Sequence, residues 1–89
     1  MHLTLKTIVD LLDRFHQRAT YGAVAGVVGK VPRSVMQGLP KNWRHSWVVN
    51  QEDGEPSEYH FLQKHPALHE RTAVLSSTDD LSAWLANPQ

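Results

Sequence analysis

Residues 20–50 restrict the fold of this chain most, because glycine and proline interrupt their apolar residues at fixed points. Thr20 is a favourable N-cap and Gly29 is a favourable stop, so the segment between them predicts a short helix. Apolar side chains recur there at helical spacing and would face the core of the protein. They belong to Tyr21, Val24, Ala25 and Val28.

A second helical segment begins almost at once. Pro32 suits the first position of a helix, and Pro40 prevents the helix from continuing. Between them, an inward face is supplied by Val35, Met36 and Leu39. Two short helices joined by a tight glycine turn predict a helix-turn-helix. An ordinary helical corner is the alternative, since many small helical domains also have a glycine between two helices.

Charge is distributed very unevenly, although the chain has nine Lys and Arg, nine Asp and Glu, and a net charge of zero. Residues 14–50 include six basic residues and no acidic one, whereas the rest of the chain has three basic and nine acidic residues. The six are Arg14, Arg18, Lys30, Arg33, Lys41 and Arg44. A segregated basic surface is the electrostatic footprint of a phosphate-binding protein, so the central stretch predicts DNA binding.

The length of 89 residues predicts one domain, residues 1–89, with a modest core and no deep, enclosed catalytic cavity. The chain has no Cys, which excludes a disulfide, a thiolate nucleophile and Cys-ligated zinc. The longest apolar run, residues 23–28, is too short to cross a membrane. The amino terminus does not resemble a secretory signal, so the expected location is the cytoplasm.

The two ends of the chain predict further helices. Residues 4–18 form an amphipathic pattern that Thr4 or Thr7 could cap. Near the other end, Ser77 or Thr78 could cap a helix. Its apolar face would consist of Leu81, Trp84 and Leu85.

Between these helices the sequence predicts strands. Residues 46–49 and 58–62 favour strand structure, and residues 51–57 have turn chemistry, so the two segments predict an antiparallel hairpin that forms a wing. Residues 72–75 predict one more short strand. The predicted fold is therefore mainly α with a small β hairpin, a winged-helix-like helix-turn-helix domain.

Histidine is the residue type that most invites a metal or catalytic hypothesis. His60, His65 and His69 are close together in sequence, but Pro66 biases His65 away from helical geometry, so the spacing does not favour a metal site. Ser46 beside His45 does not predict a nucleophile and its base, because adjacent residues on a strand point to opposite faces. We therefore expect no metal and no cofactor.

The central stretch resembles the DNA-binding half of the alkylguanine-DNA alkyltransferases and their non-enzymatic alkyltransferase-like relatives. The resemblance rests on Thr20-Tyr21-Gly22-x-Val24-Ala25, on Gly29, on Arg33-Ser34-Val35 and on Val48-Val49-Asn50 followed by Gly54. It implies that Tyr21 lies near the phosphate of a target nucleotide. It also implies that Arg33 fills the base stack when a damaged base is extruded, and that the protein acts in DNA repair.

The chain departs from this family at the active-site signature, Pro-Cys-His-Arg-Val-Val. Alignment on Val48-Val49 places Arg44, His45, Ser46 and Trp47 where Pro, Cys, His and Arg would stand. Because irreversible alkyl transfer needs a thiolate, the sequence predicts that this chain does not carry it out.

The candidate site residues fall into two sets. Candidates for DNA contacts are Tyr21, Lys30, Arg33, Ser34, Gln37, Lys41, Trp43 and Arg44. Candidates for a base pocket are His45, Ser46, Trp47 and Tyr59. Trp43, in a predicted basic loop, is the best candidate for stacking on a base, whereas the strand position of Trp47 favours the core.

The sequence thus predicts a non-enzymatic DNA-binding protein that resembles alkyltransferase-like proteins and senses an alkylated or extruded base. Its expected partner is double-stranded DNA, damaged or intact. We expect no interaction with a membrane. The alternative is a winged-helix binding module or transcription-factor-like domain without a base pocket, which binds protein or plain duplex. A metal-dependent hydrolase built on the histidines is a more distant hypothesis.

Overall fold

The computed structural model describes residues 4–89. These residues form three helices and a three-stranded parallel sheet. The helices are α1 (Leu5–Phe15), α2 (Tyr21–Val28) and α3 (Thr78–Ala86), and the strands are β1 (Arg18–Thr20), β2 (Val48–Val49) and β3 (Val74–Leu75). Single 3-10 turns lie at Pro32–Ser34, Trp43–His45 and Phe61–Gln63.

Helix α1 confirms the predicted amphipathic helix. Thr4 caps it, because the Thr4 hydroxyl accepts a hydrogen bond from the backbone N–H of Thr7 at 3.2 Å. It ends before the predicted boundary at residue 18, because His16 adopts a left-handed conformation with φ of 54°. Its buried face packs into the core and consists of Ile8, Val9 and Leu12.

Helix α2 also has the predicted boundaries. The side chain of Thr20 accepts a hydrogen bond from the N–H of Ala23 at 3.1 Å, which caps the first turn. Gly29 ends the helix with φ of 74°, a conformation that glycine adopts without steric cost. Ala23, Val24 and Ala25 are buried, while Tyr21 and Val28 are half-buried at the edge of the core.

The predicted second helix of the helix-turn-helix is wrong as an α-helix. Pro32–Ser34 is a single 3-10 turn, and the chain continues through further turns. Their backbone bonds join residues three apart, as in Gln37 N–H to Ser34 C=O at 3.1 Å. The physical reason is length, since Gly38 with φ of 86° and Pro40 leave too few residues to repay helix nucleation. Val35 nevertheless reaches the core, as its spacing predicted.

The sheet corrects the predicted hairpin. Strand β1 lies in the centre and pairs in parallel with both neighbours, with Ala19 opposite Val48 and Leu75. The helix predicted over residues 4–18 is wrong at its last residue, because Arg18 belongs to β1. Strand β3 confirms part of the predicted strand 72–75.

Residues 58–62 do not form the second strand of a hairpin. Glu58 has a positive φ of 60°, which directs the chain out of an extended path, and Phe61–Gln63 is a 3-10 turn. The predicted turn within residues 51–57 is present, since Gly54 N–H donates to Asn50 C=O at 2.9 Å. After this turn the chain continues as a long loop rather than as a strand.

Helix α3 closes the core as predicted. Ser77 caps it by accepting a hydrogen bond from the N–H of Asp80 at 3.0 Å, and Leu81 is fully buried. Its amino terminus lies directly against Gly26 of α2, where an added Cβ would overlap the side chain of Thr78. Among residues 4–89, no helix has the length and apolar character needed to span a membrane.

We expect Gly26→Ala to destabilise the protein by about 1–3 kcal/mol, because the new methyl group overpacks the α2–α3 contact. Gly22→Ala is the matched control in the same helix, since among residues 4–89 only the Thr20 hydroxyl, at 4.0 Å, lies near its added Cβ. Gly22→Ala should stabilise the helix by up to about 1 kcal/mol. Urea unfolding followed by circular dichroism would measure both, and equal effects would contradict the close approach at Gly26.

Candidate nucleic-acid interface

A surface cleft of about 590 Å³ lies beside the first turn of α2. Its wall includes Tyr21 from α2, Arg33 from the first 3-10 turn, and residues of the loop after β2. Four of the predicted DNA-binding residues share this cleft, namely Tyr21, Arg33, Gln37 and Lys41. The fold thus brings together residues that are up to 20 positions apart in the chain.

Tyr21 fixes one wall of the cleft. Its hydroxyl oxygen accepts a hydrogen bond from the backbone N–H of Ser57 at 3.0 Å, which ties α2 to the loop after the turn. A phenol has one proton to donate in addition to the bond it accepts. Tyr21 can therefore donate a hydrogen bond to an acceptor that enters the cleft, such as a phosphate oxygen.

Arg33 lies at the rim of the cleft and is exposed. Its guanidinium makes no ion pair or hydrogen bond with any residue between positions 4 and 89. Ser34, by contrast, donates its hydroxyl to the Val31 carbonyl at 3.3 Å within the same turn. Of this pair, Arg33 is the side chain that is available to a ligand.

Lys41 is held in the cleft by Glu58. Its ammonium donates to the backbone carbonyl of Glu58 at 3.2 Å and to the carboxylate of the same residue at 3.3 Å. It also lies 6.0 Å from the centre of the Tyr59 ring. Burial, together with the neighbouring Tyr21, raises the pKa of Tyr59 to about 12, so this hydroxyl keeps its proton at neutral pH.

The other predicted DNA contacts lie outside the cleft. Lys30 is exposed just after α2, and no ion pair involves it within residues 4–89. Arg44 forms an ion pair with Asp10 of α1. Trp43 is 52% exposed, but its indole N–H donates to the Leu62 carbonyl at 3.1 Å.

None of the four predicted base-pocket residues lines the cleft, although Tyr59 lies beside Lys41. Ser46 is fully buried, donates to the Trp43 carbonyl at 2.7 Å and accepts from the His65 N–H at 3.1 Å. Trp47 is a core residue with no exposed surface. His45 lines a separate groove of about 450 Å³ against α1, and its Nδ1 lies 2.8 Å from the Pro40 carbonyl. Because a carbonyl only accepts, this contact places the ring proton on Nδ1.

Arg18 is one of the six basic residues in the segment 14–50, but it has a structural role. This side chain is buried, and its two terminal nitrogens donate to the carbonyls of Gly54 at 2.8 Å and Arg71 at 2.9 Å. It joins the turn after β2 to the segment before β3. Part of the positive charge in residues 14–50 therefore stabilises the fold and does not face solvent.

Sequence reasoning missed the acidic side of the cleft. Asn50, Ser57 and Glu58 contribute to its lining. Asn50 belongs to the Val48-Val49-Asn50 motif, so the sequence contained a signal for it. Glu58 is not a predicted site residue, because the sequence pattern places it in a strand that does not form, at an acidic wing tip that would repel phosphates.

His65 and His69 make separate contacts. His69 contacts the carboxylate of Glu55, which also accepts a bond from Lys64 at 2.9 Å. Burial would raise the pKa of Glu55, but these two partners hold that pKa below its ordinary value. His65 packs against Trp47, with ring centres 4.8 Å apart. No cluster of His, Asp or Glu that could hold a metal ion is present in the part of the chain that the structure describes.

Comparisons of the chain with protein-family models, with curated proteins and with solved structures found no match. The resemblance to alkyltransferase-like proteins thus stays a prediction that rests on residues 19–50. The cleft and the groups that line it are therefore the basis for a functional proposal.

Proposed function

We propose that this protein binds double-stranded DNA and receives an unpaired or alkylated base in the cleft beside α2, without acting on it chemically. The observation that carries the proposal is the convergence of Tyr21, Arg33 and Lys41 on one cleft. A cleft of about 590 Å³ falls in the size range of sites for small organic ligands, and a nucleobase is such a ligand.

Affinity for the duplex would come from exposed cations. Lys30 and Arg33 are exposed at the carboxyl end of α2 and in the turn after it, and Lys41 lies in the same cleft as Arg33. Contacts with phosphates release counterions, so binding weakens as salt rises. In this proposal α2 and the turn at Pro32–Ser34 serve as an abbreviated helix-turn-helix that lies on the DNA, with the loop after β2 in the position of a wing.

Arg33 would take the place of the extruded base. Removing a base from the stack costs a few kcal/mol, and a planar guanidinium at the rim of the cleft can fill the gap. Tyr21 would donate its remaining proton to the displaced backbone. Both roles agree with those that the resemblance implies for these two positions.

The proposal does not include alkyl transfer. The chain has no Cys, and therefore lacks the thiolate that such a reaction needs. His45 stands at the aligned position, but it lies in the groove against α1 and not in the cleft. The protein would recognise a base and leave it unchanged.

Titration with two duplexes tests the proposal, one fully matched and one with a single unpaired base. With three phosphate contacts, the logarithm of the binding constant should fall with the logarithm of salt with a slope of about −3. The duplex with the unpaired base should bind more tightly. Equal affinity for both would favour the alternative, a binding module without a base pocket. Absence of binding to either duplex would contradict the proposed function and would leave, of the alternative, only a module that binds protein.

A further inference from the structure

Glu58 is the acidic side chain among the described residues that line the cleft. Its side chain is 83% exposed, so a ligand in the cleft can reach it. Lys41 contacts one carboxylate oxygen, Oε2, and also the backbone carbonyl of the same residue. Within residues 4–89 no hydrogen bond involves the other oxygen, Oε1, which leaves it available as an acceptor.

The backbone of Glu58 has an unusual conformation that Lys41 stabilises. Its φ of 60° is in the left-handed region, which residues other than glycine seldom adopt. The bond from Lys41 to the Glu58 carbonyl, at 3.2 Å, holds the backbone there independently of the carboxylate. Conversion of the carboxylate to an amide therefore leaves a backbone contact that maintains the loop.

An ionised carboxylate accepts hydrogen bonds and cannot donate them. A base that enters the cleft is therefore favoured if it presents an amino group, as cytosine, adenine and guanine do. Thymine has no amino group, and its one ring donor, N3–H, lies between two carbonyl oxygens that would face the carboxylate unfavourably.

We propose that Glu58 determines the specificity of the cleft and selects an unpaired base with an exocyclic amino group over thymine. This inference rests on the proposed function, since it requires that a base enters the cleft. In this proposal Glu58 selects the base, in addition to repelling phosphates near the surface that would bind DNA.

The test uses three duplexes that differ at one position: matched, with one bulged cytosine, and with one bulged thymine. For the unaltered protein we expect the cytosine bulge to bind at least about fivefold more tightly than the thymine bulge. For Glu58→Gln the two bulges should bind within about twofold of each other, because an amide both donates and accepts.

Glu52→Gln is the matched control. Glu52 is exposed and does not line the cleft, and its replacement also removes one negative charge. Both variants should therefore strengthen DNA binding slightly at low salt, but Glu52→Gln should keep the preference for cytosine. Circular dichroism would verify that both variants are folded.

The outcomes separate the two proposals. If the bulged duplexes bind no better than the matched duplex, the proposed function fails, and the role of Glu58 fails with it. If the bulges bind better but cytosine and thymine are equivalent, the role of Glu58 is overturned while the proposed function stands. A preference for cytosine that Glu58→Gln leaves intact overturns that role as well.

Discussion

Replacement of Arg33 by Ala is expected to abolish the preference for a duplex with an unpaired or alkylated base. The guanidinium is exposed at the rim of the cleft and has no ion-pair partner within residues 4–89. If it fills the gap left by an extruded base, its loss leaves the cost of unstacking, a few kcal/mol, without compensation. A preference on the order of 10- to 100-fold would then fall to about onefold. Affinity for the matched duplex should drop only by about one phosphate contact.

Two control variants separate stacking from charge. Arg33→Lys keeps the positive charge but removes the planar group, so it should retain affinity for the matched duplex and lose the preference. Lys30→Ala removes a charge that does not line the cleft, so it should weaken binding to both duplexes alike. Competition titrations would measure the ratios, and a base analogue that fluoresces on unstacking would report extrusion. A preference that survives in Arg33→Lys would show that charge alone is responsible.

The three α-helices could be predicted because their signals are local. Thr4, Thr20 and Ser77 each cap the helix that begins after them, and Gly29 ends α2, as the sequence indicates. A cap requires only that one side chain reach a backbone group a few residues away. Such contacts are encoded in neighbouring residues and do not depend on the rest of the fold.

The parallel sheet could not be predicted in this way. Its strands have two or three residues each, which is too short for an alternating pattern to be recognised. The pairing joins segments that are far apart in the chain, since Ala19 lies opposite both Val48 and Leu75. The turn chemistry of residues 51–57 favoured a hairpin because adjacent strands often pair, but Glu58 leaves the extended conformation.

The candidate site was predicted only in part for a similar reason. Tyr21 and Arg33 lie in short-range motifs, and the fold brings both to the cleft. By contrast, the basic residues of the segment 14–50 are separated from acidic residues along the sequence but not in space. In space, Arg44 lies beside Asp10 and Lys41 beside Glu58, which come from segments on either side of the basic stretch. Charge segregation along a chain therefore does not establish charge segregation on its surface.

Substitution of Trp47 is expected to have the largest effect on stability. The size of this effect distinguishes a residue of the core from a residue of a base pocket. The side chain has no exposed surface, its indole N–H donates to the Asp13 carboxylate at 2.8 Å, and its ring stacks on His16 with centres 5.3 Å apart. Trp47→Ala should cost about 3–5 kcal/mol through lost burial and the cavity that remains. Proteins of this kind are stable by only about 5–15 kcal/mol, so much of the total would be lost.

Trp43→Ala is the control, because this residue is 52% exposed and removal of its ring should cost less than about 1 kcal/mol. Trp47→Phe should have an intermediate effect, since it fills much of the cavity but leaves Asp13 without its donor. Urea unfolding would be followed by circular dichroism, as the substitutions remove a fluorophore. Equal costs for Trp43→Ala and Trp47→Ala would contradict the core role. Trp47→Phe should also keep any preference for an unpaired base, because the ring of Trp47 packs in the core and does not line the cleft.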